Sequence, residues 1–266
     1  MHRLDRDTQL EPIGEGRFRG CLDRGWWIIK GPNGGYMASI LLRSMLMTAN
    51  QPDRAPRSLT VHYLSVPEAG AVEVAASIER NGRSLTTVMA RMTQQQKLVA
   101  LAIGALGKPI SDYDFQDVAM PQVDPPEACA LWEAQGIIPN AERYEMRHAI
   151  GGAPWSGSPR ALTGGWIRPK GERMPDALLM AAMADAWYPS IFTKVIDGKF
   201  AVAVPTVDFT IHFRAELPLV DSRPDDYYLA RFESTTARQG YIDETGEMWS
   251  RSGVLLAQCR QLALLI

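Results

Sequence analysis

The chain has 266 residues, a formal net charge of −2, and 46% hydrophobic against 22% charged residues. That length carries one large domain or two ordinary ones around a packed core. Near-neutral charge without a basic cluster argues against nucleic acid as a main partner. Cys21, Cys129 and Cys259 lie far apart and form no CxxC pair, so neither a disulfide framework nor a zinc site is expected. The opening MHRLDRDTQLEP has no apolar secretory core, and no apolar stretch reaches the roughly 18–20 residues that span a bilayer. These absences predict a cytoplasmic protein with free thiols and no membrane partner.

Residues 1–30 read as an extended start. Arg17–Leu22 alternates polar and apolar side chains as a half-buried strand does. Asp23-Arg24-Gly25 is a turn signal, and Trp26–Ile29 reads as a second short strand. Gly31–Gly35 breaks the chain. The following helix carries Tyr36, Met37, Ala38, Ile40, Leu41, Leu42, Met45, Leu46 and Met47, with Arg43 its main polar residue. Four strand-like runs come next: Ser58–Val66, Val72–Arg80, Leu85–Gln94 and Lys97–Gly107. Between them Asn81-Gly82 predicts a type I′ hairpin turn, because both residues tolerate positive φ. A meander wrapped around one helix would explain why that helix lacks a polar face.

Residues 109–140 are rich in proline and aspartate and show little periodicity. They read as a connection, with one short helix expected around Pro126–Gln135. From Glu142 the pattern returns, with strand signals at Tyr144–Ala149 and Gly165–Pro169. Met174–Phe192 then reads as a second helix, apolar on all sides and buried throughout. Asp185 interrupts it. A carboxylate in apolar surroundings costs several kcal/mol or shifts its pKa unless it is paired or hydrogen-bonded. Asp185 is therefore either satisfied structurally or held for chemistry. Ala201–Arg214, Tyr227–Ser234, Gly240–Ile242 with Met248–Ser250, and Val254–Leu265 read as strands.

The two halves match internally. Leu59–Leu64 (LTVHYL) corresponds to Phe209–Arg214 (FTIHFR) at an offset of 150 residues, and Lys97–Ala102 corresponds loosely to Gly253–Gln258 at 156. His62 and His212 match between the copies, which marks a shared structural position rather than a catalytic one. No GxSxG elbow, HExxH helix, GxGxxG turn or P-loop is present.

Several motifs carry a family resemblance: Asn33-Gly34-Gly35-Tyr36, Arg57–Pro67, Glu79–Ser84, Ala184-Asp185-Ala186-Trp187, Pro205–Arg214 and the terminal strand through Gln261. In order and in duplication the chain resembles the acyl-CoA thioesterase II type. The resemblance implies an α+β double hotdog, two antiparallel sheets each wrapped around a long central helix and packed as a pseudo-dimer. It implies hotdog domains at 1–110 and 142–266, a linker at 111–141, and the catalytic residues in the second domain.

The resemblance further implies hydrolysis of acyl-CoA to free acid and CoA by a water held between Asp185, Thr206 and Gln261. Asn33, Gly34 and Gly35 would bind substrate at a helix N-terminus. No cofactor or metal is implied, the partner is a small acyl-CoA, and hotdog domains of this kind commonly form homo-oligomers. The site differs from the family pattern at Phe209, where Asp-His is common. Strand alternation groups Thr206 with Asp208 and Thr210, on the face away from Asp185, unless a bulge or bend at Pro205 turns it. Enoyl-CoA hydratases share the fold but need a His five residues after the Asp, where this chain has Ser190. A non-catalytic hotdog that binds an acyl ligand is the alternative reading.

Overall fold

The structure is a computed structural model and describes residues 1–133, 138–196 and 203–266. Its first half runs α1 (Arg3–Asp7), β1 (Glu11–Gly14), β2 (Arg17–Leu22), α2 (Gly34–Ala49), β3 (Ala55–Tyr63), β4 (Gly70–Asn81), β5 (Leu85–Gln94) and β6 (Lys97–Gly107). The second runs β7 (Ala130–Trp132), β8 (Tyr144–Gly151), β9 (Ala161–Pro169), α3 (Ala177–Met183), β10 (Thr206–Phe213), β11 (Tyr228–Ser234), β12 (Ala237–Arg238), β13 (Tyr241–Trp249) and β14 (Leu255–Leu264). Backbone pairing joins them into one 14-stranded sheet, ordered β1-β2-β4-β5-β6-β3-β10-β14-β13-β11-β9-β8-β7, with β12 on β13.

The two halves of the sheet meet where β3 pairs with β10. Thr60 lies opposite Thr210, Leu59 opposite Ile211 and Val61 opposite Phe209. The Thr60 and Thr210 hydroxyls are 3.0 Å apart. The internal sequence match is therefore a segment paired with its own copy across a local twofold, and His62 and His212 both face outward. The terminal strands are related by 157 residues, not 156. Ile103 faces Thr60 and Arg260 faces Thr210. A one-residue error matters in a strand, because it exchanges the inner and outer faces.

Helix α2 forms where the apolar run places it. Asn33 caps it, its Oδ1 accepting from the Tyr36 N–H at 3.0 Å, and left-handed Asn50 (φ 46°) ends it. Tyr36, Met37, Ala38, Ile40, Leu41, Leu42 and Met45 are at most 3% exposed. Arg43 escapes the apolar surroundings by donating to Thr8 Oγ1 at 2.9 Å, just beyond α1.

The second helix is shorter than its sequence suggests. The apolar run continues to Phe192, but α3 stops at Met183 and Asp185 lies beyond its end. Pro189 disfavours helical backbone at Tyr188. The carbonyl of Asp185 is taken by the Asn33 side chain at 2.6 Å instead of by a further helical turn. Trp187 and Tyr188 are buried in aromatic contacts with Trp132, so their apolarity reports burial and not helix.

Four further expectations change. Residues 3–7 are helical and not extended. Trp26–Ile29 is not a strand. Asp23 caps a 3-10 turn at Arg24–Trp26, and Trp26 stacks on Tyr36 with ring centroids 4.8 Å apart. Asn81-Gly82 lies outside the positive-φ region, whereas Gln95 (49°) and Gln96 (66°) make that kind of turn between β5 and β6. Pro126–Ala128 is a single 3-10 turn, followed by strand β7. The end of the helix expected there, and the start of the strand expected at Ala201, fall outside the described residues.

The two helices pack antiparallel and very close. A Cβ on Gly35 would sit 2.6 and 2.7 Å from the carbonyl oxygens of Ala181 and Ala182, and Ser39 Oγ lies 2.8 Å from the Leu178 carbonyl. Gly35→Ala should therefore destabilise by about 1–3 kcal/mol through overpacking, and Ser39→Ala by about 1 kcal/mol, read as urea midpoints. An unchanged midpoint for Gly35→Ala would show that the helices do not touch through bare backbone.

Candidate active site

Asp185 lies where the C-terminal end of α3 meets the N-terminal end of α2. Its Oδ2 accepts from the Gly35 N–H at 3.0 Å and from Asn33 Nδ2 at 2.9 Å. These donors belong to the positive end of a 16-residue helix, which favours a negative charge. Its Oδ1 accepts no hydrogen bond among the described residues, and the half-buried side chain lines a cavity. Burial pushes the Asp185 pKa up to about 7. The nearby Glu244 charge adds to that rise, while the donors at Gly35, Gly34 and Asn33 oppose it. Both readings of this residue meet in one geometry: Oδ2 is satisfied by the protein, and the side chain lines a cavity.

Thr206 reaches the site through a break in strand register. Opposite β14, Thr206 pairs with Ala263 but Asp208 pairs with Leu262, so one extra residue is inserted between them. The bulge reverses the parity of Thr206. Its Oγ1 donates to Gln261 Oε1 at 2.8 Å. The same irregularity occurs between Pro56 and Ser58 in β3, so it belongs to the duplicated scaffold. Gln261 lies on the inner face with Cys259 and Ala263, and its Nε2 donates to Glu244 Oε1 at 2.9 Å. Glu244 Oε2 accepts from the Ser190 N–H at 2.6 Å.

The structure therefore brings Thr206 and Gln261 into direct contact and places both on the cavity that Asp185 lines. Asn33 and Gly34 line it too, whereas Gly35 is buried behind it, and the Asn33 and Gly35 donors are turned to Asp185. Sequence reasoning missed two residues. Glu244 is 6% exposed, and its signal was an acidic residue at an inward strand position, in step with Ile242 and Met248. Tyr63 donates to the Gly34 carbonyl at 2.7 Å, and burial beside the Asp185 charge holds its pKa well above the usual phenol value.

The cavity has a volume of about 460 Å³. Met37, Trp132, Trp187, Tyr188 and Phe192 supply apolar wall, and exposed Ile28, Ile29, Leu64 and Val66 rim it. A second cavity of similar volume lies at the other end of the helix pair. Pro56, the counterpart of Thr206, lines it, and Gly104 occupies the counterpart of Gln261. No group of three His, Cys, Asp or Glu residues suited to a metal ion occurs among the described residues. No helix among them is long and apolar enough to cross a membrane.

A raised Asp185 pKa makes a stability prediction. The carboxyl ionises near pH 4 in the unfolded chain and near pH 7 in the fold, so the fold loses stability as pH rises between those values. Asp185→Asn keeps an acceptor for Gly35 and Asn33 and removes that loss. Thermal melts should coincide near pH 4 and separate by pH 8, with the variant more stable by about 2 kcal/mol, from ~1.4 kcal/mol per pKa unit discounted for partial exposure. A constant gap across that range would contradict the shift.

Comparison with known proteins shows the family and the fold. Residues 23–107 match the acyl-CoA thioesterase N-terminal domain family and residues 118–265 the C-terminal domain family. A conserved hot dog fold protein of unknown function from Alicyclobacillus acidocaldarius is similar at 27% identity and a TM-score of 0.90, covering 100% of this chain and 98% of that one. The acyl-CoA thioesterase II TesB2 of Mycobacterium marinum shares the fold at 19% identity and a TM-score of 0.78, over 99% and 98% of the two chains. The uncharacterized protein Rv0499 of Mycobacterium tuberculosis is 25% identical over 276 residues, 93% of this chain and 90% of its own length. The chain is a double hotdog and belongs to the acyl-CoA thioesterase family, with matches to both of its domains in one polypeptide.

Proposed function

We propose that this protein hydrolyses acyl-CoA thioesters with a water activated by Asp185. The observation that carries the reading is Asp185, with its Oδ2 held by Asn33 and Gly35, lining the same cavity as the Thr206–Gln261 pair. Family membership and the apolar wall of that cavity support it. In this reading residues 1–110 and 142–266 act as two hotdog units joined by residues 111–141. The second supplies the reacting groups, and the first supplies the helix end that holds Asp185.

The chemistry follows from the donors and acceptors. Ionised Asp185 takes a proton from water through Oδ1 as the water oxygen attacks the thioester carbonyl carbon. The tetrahedral intermediate collapses and expels the CoA sulfur, which recovers the proton from Asp185. Acid and CoA then leave. Thr206 spends its hydrogen on Gln261, so its lone pairs can accept the second water proton and fix the attack direction. The thioester carbonyl approaches the N-terminal end of α2 at Gly34. A Cβ there would stand 3.0 Å from Asp185 Oδ2 and 2.9 Å from Tyr63 Oη. A base with a pKa near the working pH suits this role.

A panel of acyl-CoA thioesters with a free-thiol readout tests the reading. Wild type should release thiol with a kcat that rises with pH through a midpoint near 7, as Asp185 ionises. Asp185→Asn should lower kcat by about 10²–10⁴ and flatten that rise, while Thr206→Val should cost about tenfold. Wild-type turnover by folded Asp185→Asn would overturn the site assignment. Tight binding of an acyl-CoA thioether with no turnover across the panel would leave an acyl-binding hotdog instead.

A further inference from the structure

Glu244 is a costly residue that the other half of the fold does without. The local twofold relates Gln261 (opposite Phe209) to Gly104 (opposite Leu59). It relates Glu244, opposite Gln261, to Val88, opposite Gly104. Val88 is fully buried, so the first half of the sheet fills this place with an aliphatic side chain. A carboxylate in the same place carries a desolvation cost that only hydrogen bonds offset.

Its bonds have a direction. Glu244 Oε2 accepts from the Ser190 N–H at 2.6 Å, and Oε1 accepts from Gln261 Nε2 at 2.9 Å. With both carboxylate oxygens acting as acceptors, Gln261 must turn its NH₂ toward Glu244 and its Oε1 toward Thr206. The two ends of a carboxamide are nearly isosteric, so packing alone does not choose between them. The choice matters at Thr206. As found, Thr206 donates to Gln261 and offers lone pairs outward. With the amide reversed, Gln261 would donate to Thr206, and the threonine hydrogen would turn toward the water. A donor aimed at the attacking water competes for the lone pair that must reach the carbonyl carbon.

We propose that Glu244 is a positioning residue of the hydrolytic site, locking the Gln261 carboxamide with its oxygen toward Thr206. The proposal rests on the hydrolase reading for its kinetic consequence but not for the amide orientation itself. Three variants test it. Glu244→Val places the residue of the other half at this position. It should melt below the wild-type temperature, because the buried Ser190 N–H and Gln261 Nε2 lose their acceptor, while the folded protein shows kcat lowered 10–100-fold and KM within threefold. Glu244→Gln is isosteric, but Ser190 N–H claims its oxygen. Its NH₂ then faces Gln261 and favours the reversed amide, so kcat should fall at least tenfold. The exchange E244Q/Q261E restores an acceptor to Thr206 and a donor–acceptor match at position 244. Its kcat should exceed that of Glu244→Gln at least fivefold. Wild-type turnover by folded Glu244→Gln, or an exchange variant no faster than Glu244→Gln, would overturn the proposal and leave the hydrolase reading standing.

A second measurement does not depend on turnover. In ¹⁵N–¹H spectra, the Gln261 side-chain amide (assigned by its loss in Gln261→Ala) should show one downfield, slowly exchanging proton in wild type. Glu244→Val should move that proton to the free-amide position. A free-amide signal in wild type would overturn the orientation, whether or not any thioester is cleaved. An absence of turnover by wild type across the acyl-CoA panel would sink the hydrolase reading alone.

Discussion

A single carboxylate placed on the amino end of another half's helix organises this molecule. Asp185 belongs to the second half of the chain, yet its Oδ2 is held by Gly35 and Asn33 of the first. The contact exists because Gly35 has no side chain, which lets α2 approach the carbonyls of Ala181 and Ala182. Close approach, helix polarity and a buried acid are thus one arrangement. The acid costs the fold stability near neutral pH, and the donors of α2 only partly offset that cost. A group kept at such a cost on the wall of a cavity is a candidate for chemistry.

The rest of the site is a chain of hydrogen bonds with a fixed direction. The Ser190 amide donates to Glu244, Gln261 donates to Glu244, and Thr206 donates to Gln261. Each member removes an ambiguity from the next, and the last member faces the cavity with acceptors. A network of this kind is useful only when complete, because a half-satisfied buried polar group costs more than an apolar one. The duplicated scaffold makes the comparison inside one molecule. The counterparts of Gln261 and Glu244 are Gly104 and Val88, and the counterpart of Thr206 is Pro56. At these three strand positions the two copies of one architecture therefore differ, polar in the second half and apolar in the first.

The sequence by itself determined the parts of this protein that depend on local periodicity. Alternating side chains and turn residues set β5 and β6 at their observed ends, an unbroken apolar run with an Asn-Gly-Gly start set α2, and the 150-residue repeat announced two copies of one unit. Asp185 was legible because ionisable groups are rare in apolar runs. Only tertiary structure decided the length of α3, since a residue buried by Trp132 is as apolar in an irregular segment as in a helix. It also decided the side of the sheet on which Thr206 lies, because a bulge is a property of two paired strands and parity is read from one. Glu244 became significant only when pairing put it beside Gln261, seventeen residues along the chain and one strand away. Local order follows from spacing along the chain, whereas a site is made by which spacings meet across it.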